Sequence, residues 1–98
     1  MKLLAVLTAV ERADSRELFQ AHGREELVHL WGLYEEGLVR EMYQRAGPGA
    51  VLVLEAPDME HARRLLNELP LLAAGAVECE LLELRPFAAY RAFIDAGG

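Results

Sequence analysis

Cysteine occurs once in this 98-residue chain, at Cys79. A single thiol excludes an internal disulfide, a Cys-x-x-Cys redox pair and any cysteine cage for iron or zinc. It fits a reducing compartment, and a cytoplasmic location is expected. Lysine also occurs once, at Lys2, and no stripe or cluster of basic residues is present; 10 basic residues stand against 16 acidic ones, for a formal net charge of -6. A phosphate backbone would be repelled by such a surface, so nucleic acid is not an expected partner. No stretch approaches the roughly 18 apolar residues of a membrane span, and no membrane partner is expected. The apolar run 3–10 is short for the core of a secretory leader and lacks an Ala-x-Ala cleavage site before Glu11 and Arg12, so it reads as a strand of the mature fold. A phosphate-cradling glycine loop is missing too, because Ala-Gly-Pro-Gly (46–49) lies between two strands and not before a helix.

Aliphatic residues are abundant. Hydrophobic residues make up 53% of the chain, slightly above the usual value of about 45–50%. A chain of this length forms one domain, 1–98, and buries roughly 60–65% of its unfolded surface. The surplus of apolar side chains points to a second buried face shared with another chain.

The order of elements follows from periodicity. Lys-Leu-Leu-Ala-Val-Leu-Thr-Ala-Val (2–10) reads as a strand apolar on both faces. Asp14 or Ser15 can cap a helix start, with Glu17 three residues after Asp14 as in a capping box. That helix carries Phe19, Leu27, Leu30, Trp31 and Tyr34 on one stripe expected to face the sheet, and Gly37 is placed to end it. Segments 38–45 and 50–56 flank the 46–49 turn and read as a hairpin. Asp58 caps a second helix that turns Met59, Ala62, Leu65, Leu66 and Leu69 inward and stops at Pro70. Segment 76–85 is the last strand, and 87–98 is a C-terminal extension or short helix. The result is β-α-β-β-α-β, an α+β ferredoxin-like domain: a four-stranded antiparallel sheet with two helices on one face.

Two helices cover one face of such a sheet and no more. Strands 2–10 and 50–56 are nevertheless apolar on both faces, and a wetted patch of that size marks an interface. A homodimer or larger oligomer pairing its sheets is therefore expected. The other arrangement is a C-terminal segment, with Phe87 and Ile94, folded back over the free face.

Glu-Gly-Leu-Val-Arg-Glu-Met-Tyr (36–43), Val-Leu-Val-Leu-Glu-Ala-Pro-Asp-Met-Glu-His-Ala-Arg-Arg-Leu-Leu-Asn-Glu-Leu-Pro-Leu-Leu (51–72) and Val-Glu-Cys-Glu-Leu-Leu-Glu-Leu-Arg-Pro-Phe (77–87) together resemble the muconolactone isomerase family. The resemblance covers roughly half of the chain. It implies a dimeric α/β barrel, built from two ferredoxin-like chains, and isomerisation of an unsaturated lactone with no metal and no cofactor. Where the family usually has a His-Leu-Trp run, this chain has Arg40-Glu41-Met42.

A proton-shift enzyme needs a base near an acid in a pocket that excludes water. Arg40, Tyr43 and Glu80 are the candidate catalytic residues. Arg40 and Tyr43 sit on opposite sides of one strand, Arg40 beside Met42 and Tyr43 beside Val39 and Glu41, and Glu80 shares a face with Glu78 and Leu82. A solvated edge strand would account for the same polarity. Trp31 and Tyr34 are candidate ligand-binding residues or, at helical core spacing, packing residues. His22, His29 and His61 read as solvated surface histidines, and His22 and His29 are too far apart for one metal ion. Two functions remain open: an isomerase-like enzyme for a small apolar or lactone-like molecule, or a non-catalytic ligand-binding or assembly protein.

Overall fold

The computed structural model describes residues 1–97. Its elements are β1 (Lys2–Ala9), α1 (Ser15–Glu35), β2 (Val39–Gln44), β3 (Gly49–Glu55), α2 (Met59–Leu66), α3 (Pro70–Ala73), β4 (Val77–Leu84) and α4 (Ala88–Asp95). The strands form one sheet in the order β2-β3-β1-β4, and every neighbouring pair is antiparallel. This is the expected ferredoxin-like α+β fold.

Alternation along the strands divides the sheet into two faces. Leu3, Ala5 and Leu7 of β1 and Leu52 and Leu54 of β3 are buried in one cluster with Leu33, Ala62, Leu66 and Leu71 from the helices and Leu69 from the link between α2 and α3. Burying each of the larger side chains contributes about 1.5–3 kcal/mol. Leu4 and Val6, opposite Val53 and Val51, point to the other face and stay partly exposed. Gly49 lets β3 start hard against β1: its φ is +140°, and a Cβ there would stand 2.1 Å from the Leu7 carbonyl oxygen.

α1 ends as expected at Gly37, whose φ is +87°. The Leu38 N–H donates to Leu33 O at 3.0 Å and the Gly37 N–H to Tyr34 O at 3.1 Å, closing the helix with a Schellman pair. At its start neither of the two candidate caps, Asp14 and Ser15, bonds a first-turn amide. Asp14 makes no capping bond, because the Arg12 guanidinium takes both of its carboxylate oxygens, at 2.8 and 3.1 Å. Ser15 holds the turn instead, donating from Oγ to Val10 O at 2.8 Å and accepting the Arg12 N–H at 2.9 Å. Asp58 does cap α2, accepting the His61 N–H at 2.7 Å. α2 ends at Leu66, four residues before the expected stop, so Pro70 does not end it but begins α3, where a first-turn residue needs no N–H.

Three features correct the sequence reading. α1 is rotated so that Leu18, Glu26, Leu30 and Leu33 face the sheet, while Leu27 and Trp31 stand 69% and 56% exposed on its outer side. A β-bulge at Arg40 lets Val39 oppose Leu54 while Glu41 opposes Val53. The extra residue restarts the alternation, so Val39 and Tyr43 lie on opposite faces and not on one. Finally, the C-terminal segment does not blanket the free sheet face: every residue of α4 is exposed. The radius of gyration is 16.3 Å and the principal extents are 58 × 27 × 20 Å, whereas a compact chain of this length has a radius near 12.5 Å.

Candidate functional site

The inner face of α1 carries one acidic residue into the core. Positions 18, 22, 26, 30 and 33 follow the helical repeat and bring Leu18, His22, Glu26, Leu30 and Leu33 to the sheet side. Glu26 is 7% exposed and is the one buried polar or charged residue among the described residues. Its Oε1 accepts the backbone N–H of Leu71, in the first turn of α3, at 3.0 Å. That donor is one of the orphan amides at a helix start, so the carboxylate satisfies α3 while α3 orients the carboxylate.

Glu26 opens onto a pocket of about 180 Å³ between α1 and the sheet, lined also by Leu7, Phe19, Leu30, Leu71 and Val77. Burial pushes the Glu26 carboxyl above the usual carboxylate range; the Leu71 N–H and the charge of His29 oppose the rise. The pocket thus presents a carboxylate with raised proton affinity. Phe19 also lines a wider groove of about 720 Å³, formed with Val10, Arg12, Arg16 and Pro48 at the open end of α1. It stands between the groove and the inner pocket. A third hollow of about 370 Å³ lies between α1 and α2, where His29, Glu36 and Glu68 meet Leu33 and Leu65.

The chain shares its fold with two solved enzymes. Muconolactone isomerase superposes with a TM-score of 0.73 over 88% of this chain and 90% of that one, at 20% identity. The fold is that of muconolactone isomerase. The 5-chloro-2-hydroxyhydroquinone dehydrochlorinase of Burkholderia phenoliruptrix AC1100, solved with 2,5-dihydroxybenzoquinone, superposes with a TM-score of 0.63 over 87% of this chain and 94% of that one, at 16% identity. No protein-family model and no curated protein sequence matches.

On this fold the residues singled out from sequence are spread apart. Tyr43, Val51, Val6 and Glu80 form one row across the free sheet face, so Tyr43 and Glu80 are separated by three strand spacings, about 14 Å. Both are exposed, and the Tyr43 hydroxyl donates to the Glu41 carboxylate. That bond, with the Glu41 charge, raises the Tyr43 phenol above its ordinary range. Arg40 projects from the bulge, its Nε donating to Gly37 O at 2.8 Å. Arg45 reaches the same free face and bonds the Thr8 hydroxyl. Trp31 and Tyr34 stack with ring centroids 5.4 Å apart on the outer side of α1, and neither lines the three hollows just described. His61 interacts with Arg64 at 3.2 Å on the exposed side of α2, and His22 is half-buried on the inner side of α1.

Glu26 was not among the sequence candidates. The signal for it was present: a second apolar stripe on α1, Leu18–Leu30–Leu33, with one carboxylate in its middle. The bulkier Leu27–Trp31–Tyr34 stripe hid it.

Proposed function

We propose that this chain is an enzyme of proton transfer, acting on a small unsaturated ring compound with Glu26 as the base. The observation that carries this reading is a single buried carboxylate, oriented by a backbone amide, at the wall of an apolar pocket. An apolar cavity of about 150 Å³ is enough to take up a benzene ring, so the pocket suits one small ring. In a lactone-type substrate, Glu26 would take a proton from the carbon next to the carbonyl. The electron pair would delocalise onto the carbonyl oxygen and, through the double bond, onto the far carbon. The same carboxyl would return the proton at the far carbon, leaving Glu26 ionised and the double bond moved. A raised carboxylate pKa strengthens the base. Likeness in fold to an isomerase and a dehydrochlorinase is compatible with this, since loss of HCl also begins or ends with removal of a proton.

The assembly belonging to this reading is a homodimer paired through the free sheet face. Leu4, Val6, Val51 and Val53 lie centrally on it, with Leu82 and Leu84 toward the β4 edge. Leu82 and Leu84 are 42% and 38% exposed, a contiguous apolar surface of the kind that seeks a partner.

Incubation with a panel of unsaturated lactones and hydroxylated quinones in deuterated water, followed by proton NMR, tests the function. Exchange of a ring C–H into solvent deuterium is expected with the native protein. In Glu26→Gln, which keeps the bond to Leu71, the exchange should fall by about 10²–10⁴-fold. Exchange that survives unchanged in Glu26→Gln would remove Glu26 from the reaction.

A further inference from the structure

Phe19 is the only residue common to two of the three hollows. On its inner side lies the Glu26 pocket of about 180 Å³, and on its outer side the groove of about 720 Å³. The β2–β3 turn meets the same two spaces, with Pro48 lining the groove and Gly49 lining the pocket. The neck between them is therefore made of Phe19 on α1 and the Pro48–Gly49 backbone. We propose that Phe19 is the specificity-determining residue of this site: it restricts the substrate to a single unfused ring and lets only a flexible substituent pass out into the groove. This rests on the proton-transfer reading above and adds to it the shape of the substrate.

Only one wall of the neck can move. The Ala9 N–H donates to Pro48 O at 3.3 Å, and Gly49 is paired with Thr8 in the sheet. A Cβ at position 49 would run into the Leu7 carbonyl oxygen, so that wall is bare, fixed backbone. Phe19 is different. It is 37% exposed, and on a helix an aromatic side chain chooses between χ1 wells near 180° and −60°. Exchange between such wells takes on the order of nanoseconds or less for an exposed side chain. Glu26 follows seven residues later, about 10.5 Å along α1 and close to two full turns. The two side chains thus stand on one side of the helix, and both line the pocket. A single benzene-sized ring occupies a cavity of about 150 Å³, which leaves little of the pocket over. A second, fused ring is rigid and coplanar with the first, and it has to enter the space that the Phe19 side chain holds.

Binding of benzene and of naphthalene to the full chain tests the size limit without any chemistry. Titrations are followed by NMR at the backbone amides of Leu71 and Gly49, both of which line the pocket. Phe19→Ala should raise the naphthalene-to-benzene affinity ratio at least about tenfold, the scale on which an apolar pocket sorts ligands by size. Phe19→Leu should raise it less, and it carries the same test should the alanine variant fail to fold. Deuterium exchange on a hydroxylated benzoquinone and a hydroxylated naphthoquinone should show the same change in the ratio of kcat/KM. A binding ratio equal in native protein and the folded variants would overturn the proposal. So would a native protein that binds neither probe, or probe-induced shifts that miss both amides. If the binding ratio moves while Glu26→Gln exchanges as fast as native protein, the assignment of the base falls and the size limit set by Phe19 stands.

Discussion

Replacing Glu26 by glutamine and, separately, by leucine separates the two things that this residue does for the fold. Its Oε1 accepts the Leu71 N–H at 3.0 Å in a buried setting. Glutamine retains an acceptor and removes the charge. Leucine removes both and leaves the Leu71 N–H unpaired at the start of α3, a loss of about 1–3 kcal/mol. The carboxylate itself is held at a cost, because burial raises its pKa. The folded state therefore keeps its proton to higher pH than the unfolded state does. Between the ordinary carboxylate pKa and the raised one, the native form binds more protons, and stability falls as pH rises through that window. Each unit of displacement is about 1.4 kcal/mol. Glu55 and Glu83 shift the opposite way, lowered by bonds to the Met1 ammonium and to Arg85, but their contributions cancel when wild type and Glu26 variants are compared at equal pH. Denaturant melts from acid to mildly alkaline pH should show Glu26→Gln gaining on wild type as pH rises and then levelling. Glu26→Leu should run about 1–3 kcal/mol below Glu26→Gln throughout. A wild-type minus Glu26→Gln difference flat with pH, or a leucine variant as stable as the glutamine one, would refute the argument.

Leu54→Ala empties a fully buried site at the sheet centre and should cost about 2–5 kcal/mol in chemical denaturation. Gly49→Ala forces a side chain against the Leu7 carbonyl at φ +140°; a loss of about 3 kcal/mol or more is expected in thermal melts. Asp58→Ala removes the bond to the His61 N–H and should cost about 1 kcal/mol by the same measurement. Val53→Asp places a charge on the partly exposed free face opposite Leu4. Sedimentation should find it folded and shifted toward monomer, with apparent dimer affinity lowered at least about tenfold.

The backbone plan was legible because its punctuation is strong. Gly37, the 46–49 turn and Asp58 each act through local chemistry, and the two apolar strands cannot be mistaken for surface elements. Pro70 was legible only as a stop, whereas it begins α3 after α2 has already ended at Leu66. The orientation of α1 was not legible. That helix has apolar residues on two sides, and pattern alone gave the sheet to the bulkier stripe. The structure gives it to the thinner one, where Glu26 meets an orphan amide of α3 that no periodicity reveals. The Arg40 bulge was equally silent, because an inserted residue leaves no mark in the alternation of a strand whose exposed positions are polar on both sides. The rotation of α1 explains why Glu26 was missed; Tyr43 and Glu80 do not converge because β2 and β4 are opposite margins of the sheet.

The bulge has a further consequence, outside any site. β2 and β4 are the two margins of the sheet; one is kinked at Arg40, and the other bears Glu78, Glu80 and Glu83. A template for runaway strand addition needs a straight, uncharged rim, and neither margin offers one. A molecule this rich in apolar side chains is thereby protected from seeding fibres at its sheet margins. Acidification strong enough to discharge the β4 glutamates is the condition under which that protection should lapse.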